Sequence, residues 1–202
     1  MTNVERHGDN PEFQRDVIDT VRHSVSRMKG LLEQISQTRR AAPASTVTPV
    51  ATDLATLIDK DWGDRRLHPS LRVIAPEGPC PVLVDGEALS QVLRHVIQNA
   101  LEAISDTGRV ELRLQNAGKH ALLKVIDDGP GMTAEFIRDV LFRPFGTTKK
   151  SGYGIGAHQA RELIRGMGGR LEVASTVGSG TEITIHLPLA PVDAKLPQVQ
   201  EA

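Results

Sequence analysis

Asp127-Asp128-Gly129-Pro130-Gly131-Met132 is the stretch on which the reading of this chain turns. It follows Ala121-Leu122-Leu123-Lys124-Val125-Ile126, a short apolar run with the length and composition of a buried strand. A strand that ends in an acid and then Gly-Pro-Gly makes a sharp corner at which backbone can approach a ligand closely. Taken alone, the same residues read equally well as an ordinary strand-to-loop corner. Their company gives them weight: Asn99 lies upstream, and two further glycine clusters, Gly152-Tyr153-Gly154-Ile155-Gly156 and Gly178-Ser179-Gly180, lie downstream.

Composition narrows what such a corner can serve. The chain has 202 residues, enough for one core with a helical arm. Hydrophobic residues make up 39% and charged residues 24%, the balance of a globular chain rather than a disordered one, and aromatics at 3% leave the core to aliphatic side chains. A formal net charge of -1 supplies no field for nucleic acid or an anionic membrane, so neither is expected as a partner. Cys80 is the only cysteine, which excludes an internal disulfide and reads as a small buried hydrophobe in a reducing compartment. No apolar run approaches membrane-spanning length and no signal peptide is visible, so a cytoplasmic setting without membrane contact is expected of this stretch.

Outward from the corner, the pattern divides the chain. Residues 1–9 carry no periodicity. Residues 10–37 start with Asn10 as N-cap and Pro11 in the first turn; Ile18, Val21, Val25, Met28, Leu32 and Ile35 then recur at alternating three- and four-residue steps. That seam predicts a partner helix, the alternative being a helix folded onto the domain's own core. Residues 38–45 form a linker and residues 46–189 the main domain. Within it, Val47 to Val50 suggests a strand, Asp53 to Trp62 a helix, and Leu71–Ile74 and Val82–Val84 strands. Asp85 caps a helix to about Ile104, and Val110–Leu114 and Ala121–Ile126 form a hairpin across Asn116–Lys119. A short helix near Ala134–Val140, another from Ile155 to Met167, and the strands Leu171–Val173 and Glu182–Leu187 complete it. Residues 190–202 read as a disordered tail. The predicted fold class is α+β, a two-layer sandwich of a mixed, mostly antiparallel sheet on helices.

The chemistry falls into separable parts. Asn99 interrupts the apolar face of its helix with His95 one turn before it, so the two share a side. Its amide either bonds neighbouring backbone or offers a hard oxygen to Mg²⁺, which takes few protein groups. Gly152 to Gly156 runs directly into a helix, where amides and dipole favour phosphate. Asp127 repels phosphate but accepts a hydrogen bond from an exocyclic amine such as adenine's.

In this order the motifs resemble the ATP-binding domain of sensor histidine kinases, within the superfamily of gyrase, Hsp90 and the mismatch-repair ATPases. Gln91 to Ala103 resembles the N box and Asp127 to Met132 the G1 box. Leu141 to Lys149 resembles the F box, Gly152 to Ala157 the G2 box and Gly178 to Thr181 the last glycine box. The resemblance implies a Bergerat fold with ATP between sheet, helices and a lid, Phe142 to Tyr153. It implies Asn99 as the Mg²⁺ ligand, Asp127 at the adenine amino group, and a base pocket shaped by Gly129 and Gly131 with Ala103, Met132 and Thr181 beside them. Phe145, Thr147, Thr148, Lys149, Lys150, Gly152, Tyr153, Gly154, Ile155 and Gly156 would contact nucleotide from the lid and the next helix. Lys149 is the lid cation implied for the terminal phosphates, with Lys150 or a merely solvated charge as alternatives. His95 stands where the hydrolases carry a general-base glutamate and many kinases asparagine. It would touch the phosphate–water network, assist proton movement, or simply bond locally.

Asn99-Ala100-Leu101-Glu102-Ala103 and Pro144-Phe145-Gly146-Thr147-Thr148-Lys149 resemble the nitrogen-regulation and dicarboxylate-sensor branch, and Glu5 to Ser36 resembles the membrane-bound kinases of the PEP-CTERM sorting system. The resemblance makes residues 10–37 the second helix of a dimerisation hairpin. No histidine followed by an acid is present: His7 precedes Gly8 and His23 precedes Ser24. The chain thus reads as a C-terminal fragment of a membrane-anchored kinase, homodimeric when intact, that serves a response regulator. The alternative is an ATP-binding regulatory module that phosphorylates nothing.

Overall fold

Around the strand that ends in Asp127, the computed structural model builds a five-stranded sheet; residues 50–64, 69–76, 78–146 and 154–191 are described. The elements run β1 (Val50–Asp53), α1 (Leu54–Trp62), β2 (Leu71–Ile74), β3 (Pro81–Val84), α2 (Gly86–Ala103), β4 (Val110–Ala117) and β5 (His120–Asp127). Then come α3 (Ala134–Phe136, continuing as a π-helical turn Ile137–Leu141), α4 (Gly156–Gly166), β6 (Arg170–Thr176) and β7 (Gly180–Pro188). The main sheet is ordered β2-β4-β5-β7-β6. Only β2 and β4 are parallel; the other neighbours are antiparallel. β1 and β3 pair separately as an antiparallel ribbon. This is the mixed, mostly antiparallel two-layer arrangement expected from the sequence.

Alternation decides the faces. Along β5, Ala121, Leu123 and Val125 are buried beneath α2, whose Leu89, Val92, Leu93, Val96, Ile97 and Ala100 make the facing stripe. Each such side chain taken out of water contributes roughly 1.5–3 kcal/mol before the entropy cost. α4 adds Ala160 and Ile164 to the same layer, and α1 adds Leu54, Ile58 and Trp62. The opposite face carries charge instead: Lys124 Nζ to Glu182 Oε1 at 2.7 Å, His186 Nε2 to Glu172 Oε2 at 3.0 Å, and Arg113 with Glu111.

Several boundaries differ from the sequence reading. The first strand is Val50–Asp53 rather than Val47–Val50, because Asp53 is fixed as the N-cap of α1. Its carboxylate accepts the Cys80 amide at 2.7 Å and the Thr56 hydroxyl at 2.7 Å. The β4–β5 hairpin pairs out to Ala117 and His120, so its turn is two residues, Gly118 and Lys119, rather than four. Leu189 and Ala190, assigned from composition to a tail, join the domain: Leu189 bridges Val82, and the Ala190 amide donates to Pro81 at 2.8 Å. They cover backbone that β3 would otherwise leave at an edge. The expected N-terminal helix 10–37, the linker 38–45 and residues 192–202 lie outside the described residues.

Candidate nucleotide site

The G1 corner is held by interlocked backbone. β5 ends at Asp127, opposite Thr181 of β7. Asp127 is only 9% exposed, and its Oδ1 accepts the Gly129 amide at 3.0 Å; the Thr181 amide donates to the same carboxylate. Burial raises its pKa above the ordinary aspartate value, the two amide bonds offset only part of that, and neighbouring Asp128 pushes the same way as burial. A Cβ on Gly129 would lie 2.9 Å from Asp127 Oδ1 and 3.1 Å from the Ala103 carbonyl, so the corner fills the gap between the carboxylate and the end of α2. Gly131 rests on the Thr176 carbonyl. Gly180, at φ +99°, presses on the Asp127 carbonyl, where a Cβ would stand 1.9 Å away.

Side chains complete the lock. The Met132 amide donates to Ser175 Oγ at 2.8 Å, and Ser175 Oγ donates in turn to the Gly180 carbonyl at 2.8 Å. Since a hydroxyl has one proton to give, Thr181 Oγ1, 3.0 Å away, is the donor to Ser175. The Gly178 amide donates to the Pro130 carbonyl at 2.8 Å, and on the outer side Asp128 Oδ1 accepts the Arg109 amide at 2.8 Å. Sequence reading missed Ser175 and Asp128's anchoring role. The available signal for Ser175 was alternation: Leu171, Val173 and Ser175 share one face of β6, and only the serine is polar.

The second half of the site lies where α2 meets α4. His95 and Asn99, both half-buried, are joined by Asn99 Nδ2 and His95 Nε2 at 2.8 Å. The ring lies against the start of α4: a Cβ on Gly156 would stand 2.0 Å from His95 Cε1 and Nε2. Ile155 at the N-cap supplies no side-chain hydrogen bond, so the first amides of α4 have no cap of that kind. Glu102, in the place where a phosphate-contacting lysine was looked for, accepts from Gln98 Nε2 at 2.9 Å.

Of the expected lid, residues 142–146 are described; Thr147, Thr148, Lys149, Lys150, Gly152 and Tyr153 lie outside the described residues. Phe145 is 66% exposed at φ +67°. A Cβ on Gly154 would lie 2.6–2.7 Å from the Phe145 and Gly146 backbone, so the two ends of residues 147–153 meet. The start is tied to α4 as well, His158 Nδ1 lying 3.2 Å from the Phe142 carbonyl and the Arg161 guanidinium 4.5 Å from the Phe142 ring centre. An open groove of ≈590 Å³ between α1 and α2, lined in part by Lys60, Trp62, Arg94 and Leu101, shares only His95 with this site.

Among the described residues no cluster of three or more His, Cys, Asp or Glu could hold a metal. The donor set still fits Mg²⁺, which needs one or two hard protein oxygens and takes the rest from phosphate and water. Asn99 is such a donor, and turning Nδ2 to His95 directs Oδ1 the other way.

A buried acceptor at a sheet's end, with an amide and a helix N-terminus on the adjoining helices, defines the class: an α+β domain built for a purine nucleotide. Comparison with known proteins identifies it further. The chain belongs to the histidine kinase-, DNA gyrase B- and HSP90-like ATPase family, whose profile matches residues 84–191, more than half of the chain. It is similar to the sensor histidine kinase ZraS of Escherichia coli (strain K12), 30% identical over 159 residues, which cover 79% of this chain and 34% of ZraS. It is also similar to the C4-dicarboxylate transport sensor protein DctB of Rhizobium meliloti (strain 1021), 37% identical over 123 residues, 60% of this chain and 20% of DctB. The solved structure of the mycobacterial sensor histidine kinase MprB matches with a TM-score of 0.61 at 28% identity, covering 71% of this chain and 99% of that one. The chain thus spans about a third or less of the length of these curated relatives. The family and fold implied by the order of the glycine motifs are borne out.

Proposed function

We propose that this chain is the catalytic region of a two-component sensor histidine kinase, transferring the γ-phosphoryl group of ATP to a histidine on a dimerisation helix outside it. One observation carries the reading. The buried Asp127 carboxylate, ringed by glycine backbone, suits an exocyclic amine and repels phosphate, which fixes the polarity of the nucleotide along the site. The adenine amino group donates to Asp127, and Gly129, Gly131 and Met132 hold the loop over the base. The phosphates run towards Asn99 and the amides at Gly156.

Asn99 Oδ1 would hold Mg²⁺, which when bound neutralises phosphate oxygens as charge redistributes. Lys149, or Lys150 beside it, would draw the terminal phosphate into line from the lid. Positioning and charge neutralisation then suffice, since the acceptor imidazole is itself the nucleophile. A carboxylate one turn before Asn99 would activate water; His95 stands there, which favours transfer over hydrolysis. The intact protein would be a homodimer through the helix of residues 10–37, would sit on the cytoplasmic side of a membrane anchor, and would serve a response regulator. In support, no described helix is long and apolar enough to cross a membrane.

The test supplies γ-labelled ATP, Mg²⁺ and the dimerisation hairpin of the parent protein. Acid-labile label on the hairpin histidine is expected, and Asn99→Ala should reduce its rate by about 100-fold or more. Tight ATP binding with no label would favour a regulatory module, and steady phosphate release without acceptor would favour a hydrolase.

A further inference from the structure

The function proposed above leaves His95 without a task, although it is the side chain Asn99 touches. We infer that His95 is a positioning residue that sets which end of the Asn99 amide faces the metal. A primary amide has two faces of opposite character, an oxygen that accepts and an NH₂ that only donates. On a half-buried helix either end could face the nucleotide, and only the oxygen end can ligate Mg²⁺. The 2.8 Å contact joins Asn99 Nδ2 to His95 Nε2. An NH₂ group has no lone pair to offer, so Nε2 accepts and the imidazole carries its proton on Nδ1. In that tautomer the ring holds the donor end of the amide and aims Oδ1 away from itself.

The ring is held in turn. Gly156 packs on it so closely that a Cβ there would lie 2.0 Å from both Cε1 and Nε2. The first residue of α4, where phosphate is expected, therefore backs the ring that orients the metal ligand one turn along α2. Outer partners of this kind typically change metal affinity by ~10–100-fold when removed.

This inference rests on Asn99 being the Mg²⁺ ligand, and the experiment separates the two. A non-hydrolysable ATP analogue is titrated calorimetrically into the full chain, with Mg²⁺ and again with EDTA, for the wild type, His95→Ala and His95→Gln; thermal melts confirm that each is folded. Wild type should bind more tightly with Mg²⁺. His95→Ala should keep its affinity in EDTA and lose about tenfold of the Mg²⁺-dependent gain. His95→Gln, whose Oε1 reaches as far as Nε2 and can only accept, should restore most of that gain. ¹⁵N spectra of the wild type with Mg²⁺ and analogue should show His95 protonated on Nδ1 and bare on Nε2. A folded His95→Ala with the full Mg²⁺ gain, a folded His95→Gln without rescue, or the Nε2–H tautomer in the loaded wild type would each overturn the inference. Absence of any Mg²⁺ gain in the wild type would overturn the metal role of Asn99, and this inference with it.

Discussion

Gly180 and Gly156 face nearly identical constraints with opposite meanings. A Cβ at Gly180 would come within 1.9 Å of the Asp127 carbonyl, and one at Gly156 within 2.0 Å of the His95 ring. The first obstacle is backbone near the middle of a five-stranded sheet, hydrogen-bonded on both sides. The second is the end of a side chain with a rotatable χ1. The base end of the site is therefore fixed by the fold itself, whereas the phosphate end is fixed by a side-chain contact between two helices. A kinase domain gains from that division: the base is located once, and the groups around the phosphates can rearrange as the lid moves.

The comparison breaks or holds first on these two residues. Gly180→Ala should be the most damaging single change. It adds a side chain at φ +99° and drives it into backbone, and about 3 kcal/mol or more of stability should go, together with nucleotide binding. Gly156→Ala should lower the melting temperature far less, because the imidazole can swing aside. The cost should appear instead as a selective loss of the Mg²⁺-dependent part of nucleotide affinity. Equal loss of stability in the two variants, by thermal or chemical denaturation, would erase the distinction between a backbone-fixed and a side-chain-fixed end.

Asp127→Asn sharpens it within the base end alone. The pKa of Asp127 is raised by burial, so its ionised form costs the folded state free energy: stability is highest when the carboxyl is protonated and falls as pH rises from the unfolded value through the folded one. At neutral pH the uncharged asparagine should melt higher than wild type. With Oδ1 still accepting from Gly129, its NH₂ meets the adenine amino group donor to donor. ATP affinity should drop by about 10–100-fold, read by calorimetry against the gain in melting temperature. A variant that is less stable and binds ATP normally would remove Asp127 from the base pocket.

The same division explains what the sequence disclosed. The α2 stripe, the alternation of β4 and β5, the Asp85 cap and the order of the glycine motifs are local patterns, and the fold and family followed from them. Asp127 was legible because an acid at the end of an apolar strand is out of place locally. Ser175 was not: its bond to Met132 spans 43 residues and depends on the register of β6 against β7, which no local period encodes. The meeting of Gly154 with Phe145 and Gly146, and the recruitment of Ala190 to β3, depend on tertiary contacts in the same way. His95 and Asn99 were legible as neighbours from helical spacing, but their bond required side-chain geometry.

Ser175→Ala tests that hidden register more gently. It removes the acceptor of the Met132 amide and the donor to Gly180 while leaving both strands intact. About 1–2 kcal/mol of stability should be lost, with a severalfold weaker ATP affinity and an unchanged Mg²⁺ gain, since the phosphate end is untouched. A changed Mg²⁺ gain would mean that the two ends are mechanically coupled.

The smallest effect should come from Asp53, remote from either end, and it runs opposite to Asp127 with pH. Burial raises its pKa, but hydrogen bonds from the Cys80 amide, the Thr56 hydroxyl and the Ala55 and Thr56 amides outweigh that, and the net shift is downward. A lowered folded pKa contributes stability that is present above the unfolded value, about 4, and is lost as pH falls through the folded one. Asp53→Asn keeps a capping oxygen and gives up the charge, so it should cost about 1 kcal/mol or less at neutral pH. That cost should vanish in acid below both pKa values. Asp127→Asn should show the reverse, a stabilisation present at neutral pH and absent in acid. Denaturant titrations of both variants from neutral pH to about pH 3 should therefore give difference curves of opposite sign that close together at the acid end. Curves of the same sign would mean that Asp127 is not held against its burial, and that the base end stores no cost for the nucleotide to relieve.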